Sequence, residues 1–340
     1  MVKRAVYPAF FVSLVILAVL FPQMSSSQID VHSSKTVVII RYKIEPNNFA
    51  SVVEGLKQSL KKRGYVEGKN ITYIDVLTST ADQSSIPQVM EAVKKYSSKT
   101  DLFVTCGWVS MFARILLKDT GIPQFYCPTL KSVALKMMPS VNSPPGTNLS
   151  GVYLMYPPEK ILRISRLILP NAKHYAYVFD SRIPADMIFK KAYERLRPEE
   201  RHDFEILFFD LANGIDSVIR KLQTNHIEAF GGIVGAFKNR KALSSLRIPI
   251  ITALTLDIEQ TEIADYLKGD NIIAGLFNPF SYCGKQAGEM AADIFDGKTS
   301  IENTIPRPAL QIAFVNLRAA RRLGIYIPYR ALEAVDMVVK

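Results

Sequence analysis

The sequence predicts an α/β protein of two doubly wound, parallel-sheet lobes joined by hinge strands, and three observations predict it. Strand-like runs are apolar throughout instead of alternating, as suits strands covered on both faces of a parallel sheet. Segments of helical spacing separate these runs regularly, which is the βαβ pattern. The rhythm breaks at residues 137–148 (MMPSVNSPPGTN), rich in proline and small polar residues, and then restarts, giving two successive units of similar size.

The first unit opens with the β-branched run Thr36–Tyr42, after which Phe49, Val52, Val53, Leu56 and Leu60 recur at helical spacing. Strands follow at Ile71–Leu77, Leu102–Thr105 and Pro123–Tyr126, with helices around Pro87–Tyr96 and Ser110–Leu117. In the second unit, helix Glu159–Leu169 leads to strand Tyr175–Phe179, and helix Ala185–Leu196 to strand Phe204–Phe209. Helix Ile215–Leu222 precedes strand Ala229–Ile233, helix Arg240–Leu246 precedes strand Ile248–Thr252, and helix Ile258–Tyr266 precedes strand Asn271–Leu276. Ligands of such sheets sit beyond the carboxyl ends of the strands, here in a cleft between the lobes.

The amino terminus differs from the rest. Lys3 and Arg4 precede an uncharged run, Ala9–Phe21, and Ser25–Ser27 follow it, the layout of a secretory signal peptide over residues 1–27. The run is short for a transmembrane helix, although flanking residues could extend it into an uncleaved anchor. No cysteine follows it closely, which excludes a lipid-modified terminus. The three cysteines, Cys106, Cys127 and Cys283, leave at least one thiol without an internal partner. Cys106 and Cys127 each end a strand-like run and read as neighbours in one sheet, either as buried small hydrophobes or as a disulfide. The net charge of +11 is dispersed. Its densest clusters, Lys61–Arg63 and Arg318 with Arg321 and Arg322, lack the interleaved aromatics of a nucleic-acid groove, so no nucleic-acid partner is expected.

Motifs of catalysis fail on inspection. Gly64–Asn70 (GYVEGKN) has one residue too few between its glycines for a phosphate loop, carries Asn70 where Ser or Thr is required, and runs from helix to strand. It reads as a helix cap at Gly64 followed by a turn at Gly68. Gly231–Gly235 (GGIVG) is not a dinucleotide fingerprint. His32, His174, His202 and His226 are isolated, with no metal-ligand spacing, and no nucleophile elbow occurs. The residues offer cleft architecture without a metal-ligand set or a catalytic constellation. Asp180, Asp210 and Asp257 lie near predicted strand ends, where each could hold a ligand amine or cap a helix.

Gly55–Leu60 (GLKQSL) with Arg63–Asn70 (RGYVEGKN) resembles the periplasmic substrate-binding proteins of ABC transporters, in the family that includes the tryptophan-binding receptors. Pro145–Val152 (PGTNLSGV), Gly284–Ala291 (GKQAGEMA) with Phe295–Lys298 (FDGK), and a carboxyl-terminal set from Asn316 to Pro328 follow in the family's order. The resemblance spans roughly residues 36–340. It implies a type I periplasmic-binding-protein-like fold, with a first lobe over 36–152 to which 278–308 returns. The second lobe would span 153–277, with 309–340 returning to it. It also implies a small-molecule ligand bridging the lobes, an ABC permease as partner, an extracytoplasmic location, and no cofactor and no reaction. An aromatic or branched-chain amino acid is the leading ligand class.

The chain departs from the family's pattern in the strand-end loops, at Glu45-Pro46, Cys127–Thr129 and Thr252–Thr255. Strand-end position nominates Trp108, Ser110, Tyr126 and Thr129 from the first lobe, Asp180, Ser181 and Thr255 from the second, and Asn278 and Phe280 at a hinge. Trp108 would stack on the ligand and Asp180 would hold its amine. Two rivals stay open on sequence alone: a membrane-anchored ligand-sensing domain, and an exported enzyme, which lacks a catalytic constellation. A DNA-binding regulator would need a helix-turn-helix where the export signal stands.

Overall fold

Branched and aromatic runs such as Lys35–Tyr42 give strands, and amphipathic segments such as Ala50–Lys62 give the helices that cover them. The structure is a computed structural model and describes residues 34–340 apart from Glu45 and residues 80–82; the export segment lies outside the described residues.

The first half runs β1 (Lys35–Tyr42), α1 (Ala50–Lys62), β2 (Ile71–Thr78), α2 (Ile86–Tyr96), β3 (Leu102–Thr105), α3 (Val109–Leu117), β4 (Gln124–Leu130), α4 (Lys131–Met137) and β5 (Leu149–Leu154). The second runs α5 (Pro158–Ile168), β6 (His174–Phe179), α6 (Pro184–Glu194), β7 (Glu205–Asp210), α7 (Ile215–Thr224), β8 (Ala229–Gly231), α8 (Val234–Lys238), α9 (Arg240–Leu243), β9 (Ile250–Leu254), α10 (Ile263–Tyr266) and β10 (Ile272–Phe277). The chain then forms α11 (Phe280–Phe295), β11 (Arg307–Pro308), β12 (Ile312–Asn316), α12 (Leu317–Leu323), α13 (Tyr329–Glu333) and β13 (Met337–Val339).

Two sheets result, ordered β11-β5-β4-β3-β1-β2 and β13-β12-β10-β9-β8-β6-β7. The first is parallel throughout, and the second is parallel except where β12 runs against β10. The first five strands of each follow the same doubly wound order, so each sheet has one switch point: between β1 and β3, and between β6 and β8. The α/β class read from the sequence is what the chain forms.

The last segments do not stay with the sheet that precedes them. After β10, α11 crosses to pack along α1, and β11 adds to the edge of the first sheet, whereas β12 and β13 add to the second. The α1–α11 seam depends on glycine. A Cβ at Gly55 would lie 2.0 Å from the Ser281 carbonyl oxygen, and one at Gly284 would lie 2.0 Å from that of Val52. Gly288 faces Ser59 in the same seam.

One expected helix is mostly loop. Only Ile263–Tyr266 of the segment 258–266 is helical. Ile258 is buried in the apolar core and Glu259 reaches across to Ser281, so the chain from 255 to 259 is drawn out and turns only at 260–262, before the helix.

Candidate functional site

The carboxyl ends of β1 and β3 on one side, and of β6 and β8 on the other, are where doubly wound sheets open toward a ligand. Trp108 stands in the turn from β3 to α3, half-buried and edge-on to Phe112 with centroids 4.8 Å apart. Its indole nitrogen is buried and has no acceptor among the described residues. Gly107, at φ 66°, lets this turn close against the Tyr42 hydroxyl.

The other first-sheet candidates are held by the fold. The Ser110 hydroxyl donates to the Thr105 carbonyl (3.0 Å) and is fully buried. Tyr126 is also fully buried, in a small cluster with Met138, Val141 and Leu149, and its hydroxyl donates to the Met138 sulfur. Thr129 donates to the Gly107 carbonyl (3.2 Å), linking the end of β4 to the turn that carries Trp108.

On the second sheet, Asp180 follows β6, but its carboxylate is already engaged. Arg182 donates to it through Nε (2.8 Å) and Nη2 (2.7 Å), and the Arg182 backbone amide donates as well (3.0 Å). These bonds, the guanidinium above all, hold the Asp180 carboxyl below its usual range. Ser181 is exposed, its amide donating to Asp210 (3.0 Å), which also accepts from the Ala212 amide as a cap. Thr255 follows β9 and is half-buried. Asn278 and Phe280 flank the passage from β10 to α11. The Asn278 amide donates to the Leu310 carbonyl (2.6 Å), while its side-chain oxygen is buried without a partner among the described residues. Phe280 stacks on Phe49 at 5.5 Å, joining the start of α11 to the start of α1.

The structure also gathers Arg41 and Glu259, which sequence reasoning passed over, near Asp257, which it named as a ligand or cap residue. Arg41, near the end of β1, makes a paired contact with Asp75 (2.8 and 2.7 Å) and donates to the Asn48 carbonyl (2.7 Å). Its bond to Asp75 raises its pKa further, and Asp257 adds to that field. The signal was available: a charge inside an otherwise apolar strand run. Asp257 is fully buried at the amino end of α1. Its carboxylate faces the Ala50 and Ser51 amides and the Ser51 hydroxyl, short of hydrogen-bond geometry. Burial raises its pKa. Asn47 donates to the Asp257 carbonyl (2.8 Å). Two residues on, Glu259 accepts from the amide (3.2 Å) and hydroxyl (2.7 Å) of Ser281 in the first turn of α11.

Asp186 plays a comparable part within the second sheet. Fully buried, it accepts from the amides of Asp180, Val234 and Gly235, each at 2.9 Å, and so ties the β6 and β8 turns together. It reads as a helix residue in sequence, and nothing local announces the role.

Cys106 follows β3, Cys127 lies within the paired strand β4, and Cys283 lies on α11; all three are buried free thiols. Burial raises each pKa, keeping the thiols protonated and unreactive. A surface concavity lined by Pro170, Ala172, Glu228, Ile325 and Tyr326 lies near the amino ends of β6 and β8, away from the strand ends that face a ligand. Among the described residues no group of His, Cys, Asp or Glu could hold a metal ion, and no helix is long and apolar enough to cross a membrane.

Comparison with known proteins places this arrangement. Among curated proteins none matches the sequence significantly. Solved structures do match. The ABC domain in complex with L-Trp from Streptococcus pneumoniae is 16% identical with a TM-score of 0.71, covering 90% of this chain and 100% of that one. A conserved domain protein from Vibrio cholerae is 17% identical with a TM-score of 0.70, with the same coverage. The ligand-free, open structure of a substrate-binding protein with adhesive properties from Clostridium difficile is 20% identical, with a TM-score of 0.67, covering 87% of this chain and 96% of that one. At these identities the likeness is one of fold. The family model for ABC transporter substrate-binding proteins matches residues 37–339, and the chain belongs to that family of extracytoplasmic solute-binding receptors.

Proposed function

We propose that the chain captures an aromatic or branched-chain amino acid between two lobes and delivers it to an ABC permease, without chemistry on the ligand. The observation that carries this reading is the pair of doubly wound sheets, joined by crossing segments, with Trp108 at the switch point of the first. The lobes would comprise 36–152 with 278–308 and 153–277 with 309–340, moving about the crossings. The amino-acid class is supported by the similar structure in complex with L-Trp. The orphan indole N–H of Trp108 and side-chain oxygen of Asn278 supply one donor and one acceptor for a polar ligand head. Residues 1–27 would direct export and be removed, which sequencing of the mature amino terminus tests.

The binding claim is tested by a thermal-shift screen of the purified protein against the amino acids. A ligand at about 100 times its Kd adds about 2.7 kcal/mol of stability, a visible shift. A response confined to aromatic or branched-chain amino acids supports the proposal; a response to another class reassigns the ligand; none to any amino acid removes the amino-acid class.

A further inference from the structure

Two helices of the α1–α11 seam present their amino ends side by side, as the stacking of Phe49 on Phe280 shows. Unsatisfied amides and the helix dipole make such ends favourable places for negative charge. Here both ends meet one loop, and that loop comes from the other sheet. Asp257 faces α1 and Glu259 binds the first turn of α11, both carried by the chain leaving β9. Asn47 closes the contact from the opposite direction by binding the Asp257 carbonyl.

We propose that the loop Thr255–Glu259 is an interlobe latch, holding the lobes in contact through the Glu259 carboxylate on the first turn of α11 and the Asp257 carbonyl on Asn47. The proposal rests on the receptor reading, in that the cleft it spans is the one a ligand would enter. The contact stabilises the lobe arrangement in which it forms, so the apparent affinity of a ligand is set partly by latch strength. The loop's irregular course has its reason here: a helix from Ile258 would carry Glu259 away from Ser281.

The test is amide hydrogen exchange on the full chain, comparing the parent with Glu259→Ala, Ser281→Ala and the double variant. Each single change is expected to speed exchange about tenfold in peptides spanning 47–54 and 279–285, with the double no faster than either single. The decisive peptide is 47–54, which touches neither substituted side chain; a merely local bond would leave it unmoved. Peptides around Leu60 and Gly288 report the integrity of the seam. Should Glu259→Ala loosen those as well, Glu259→Gln, which keeps shape and an acceptor, decides by the same peptides. Unchanged exchange at 47–54 in both single variants overturns the latch. No ligand enters this measurement, so its failure leaves the receptor reading to be judged by the binding screen alone.

Discussion

The α1–α11 seam and the loops at the strand ends are both built from sequence stretches that stand out, yet they do different work. The stretches that resemble the family most closely are nearly all in the scaffold. Gly55, Gly284 and Gly288 admit one helix backbone against another. Arg63 reaches Asp293 (3.1 Å) and Asp296 (2.5 Å), and Tyr65 donates to Asp296 (2.8 Å), so RGYVEGKN and FDGK are two halves of one junction. Asn70 binds the Val66 amide and the Gly64 carbonyl, closing its own turn, and Asn148 donates to the carbonyls of Leu117 and Ile122. The strand-end loops, where the chain departs from its family, hold the side chains that could meet a ligand. A family can share its scaffold strictly and its specificity loosely, because backbone-to-backbone contact tolerates no substitution while a cleft tolerates many.

The largest effect expected from this contrast is in the seam. Gly284→Ala sets a methyl group against backbone that cannot yield, and a loss of about 3 kcal/mol is expected in denaturant unfolding; a loss below about 1 kcal/mol would show that the seam can open. On the site side, Trp108→Ala should weaken binding of whichever amino acid the screen identifies by about 2 kcal/mol, measured by calorimetry, with little change in unfolding. Equal losses in folding and binding would make Trp108 part of the scaffold.

A smaller effect separates the carboxylates. Asp257 faces Ser51, Arg41, Cys106, Cys283 and Glu259, and burial raises its pKa above the ordinary range. A carboxyl raised in the folded state contributes stability at pH below its unfolded pKa and loses it as pH climbs through the folded value. Asp257→Asn removes the charge, and should therefore raise the thermal midpoint at pH 7. The gain should shrink as pH falls into the carboxylate range; a gain that grew toward acid would reverse the sign of the argument. Smallest of all is Asp180→Ala. Because Arg182 already occupies that carboxylate through two side-chain hydrogen bonds, ligand affinity is expected to stay within about twofold. A larger loss would show that Arg182 yields to the ligand.

The fold was legible because its signals are local. Apolar runs bounded by turns gave β1, β2 and β3 nearly to the residue, and Gly64 and Gly68 cap and turn, at φ 91° and 80°, as their context indicates. The segment after β9 misled, because LDIEQTEIADY has helical spacing while a contact more than twenty residues away, at Ser281, draws its first half straight. Strand-end position proposed the site residues, but position does not reveal whether a side chain is already engaged. Ser110, Thr129 and Asp180 sit where a ligand contact would be sought, and each has a partner inside the protein. Asp186 and Glu259 act through backbone amides brought near by folding, which no spacing in the sequence encodes.

The return of α11 and β11 to the first sheet also orders events in time. The helix that covers Val52 and Leu56 is supplied by residues 280–295, and the sheet's outer strand by 307–308. A chain emerging amino end first thus presents a first half that lacks one wall until most of the second half has appeared. Its early strands can form, but they cannot close, so the two halves reach the native state together instead of in succession. For a protein proposed to be exported, that delay is built into the connectivity: the closing piece travels late.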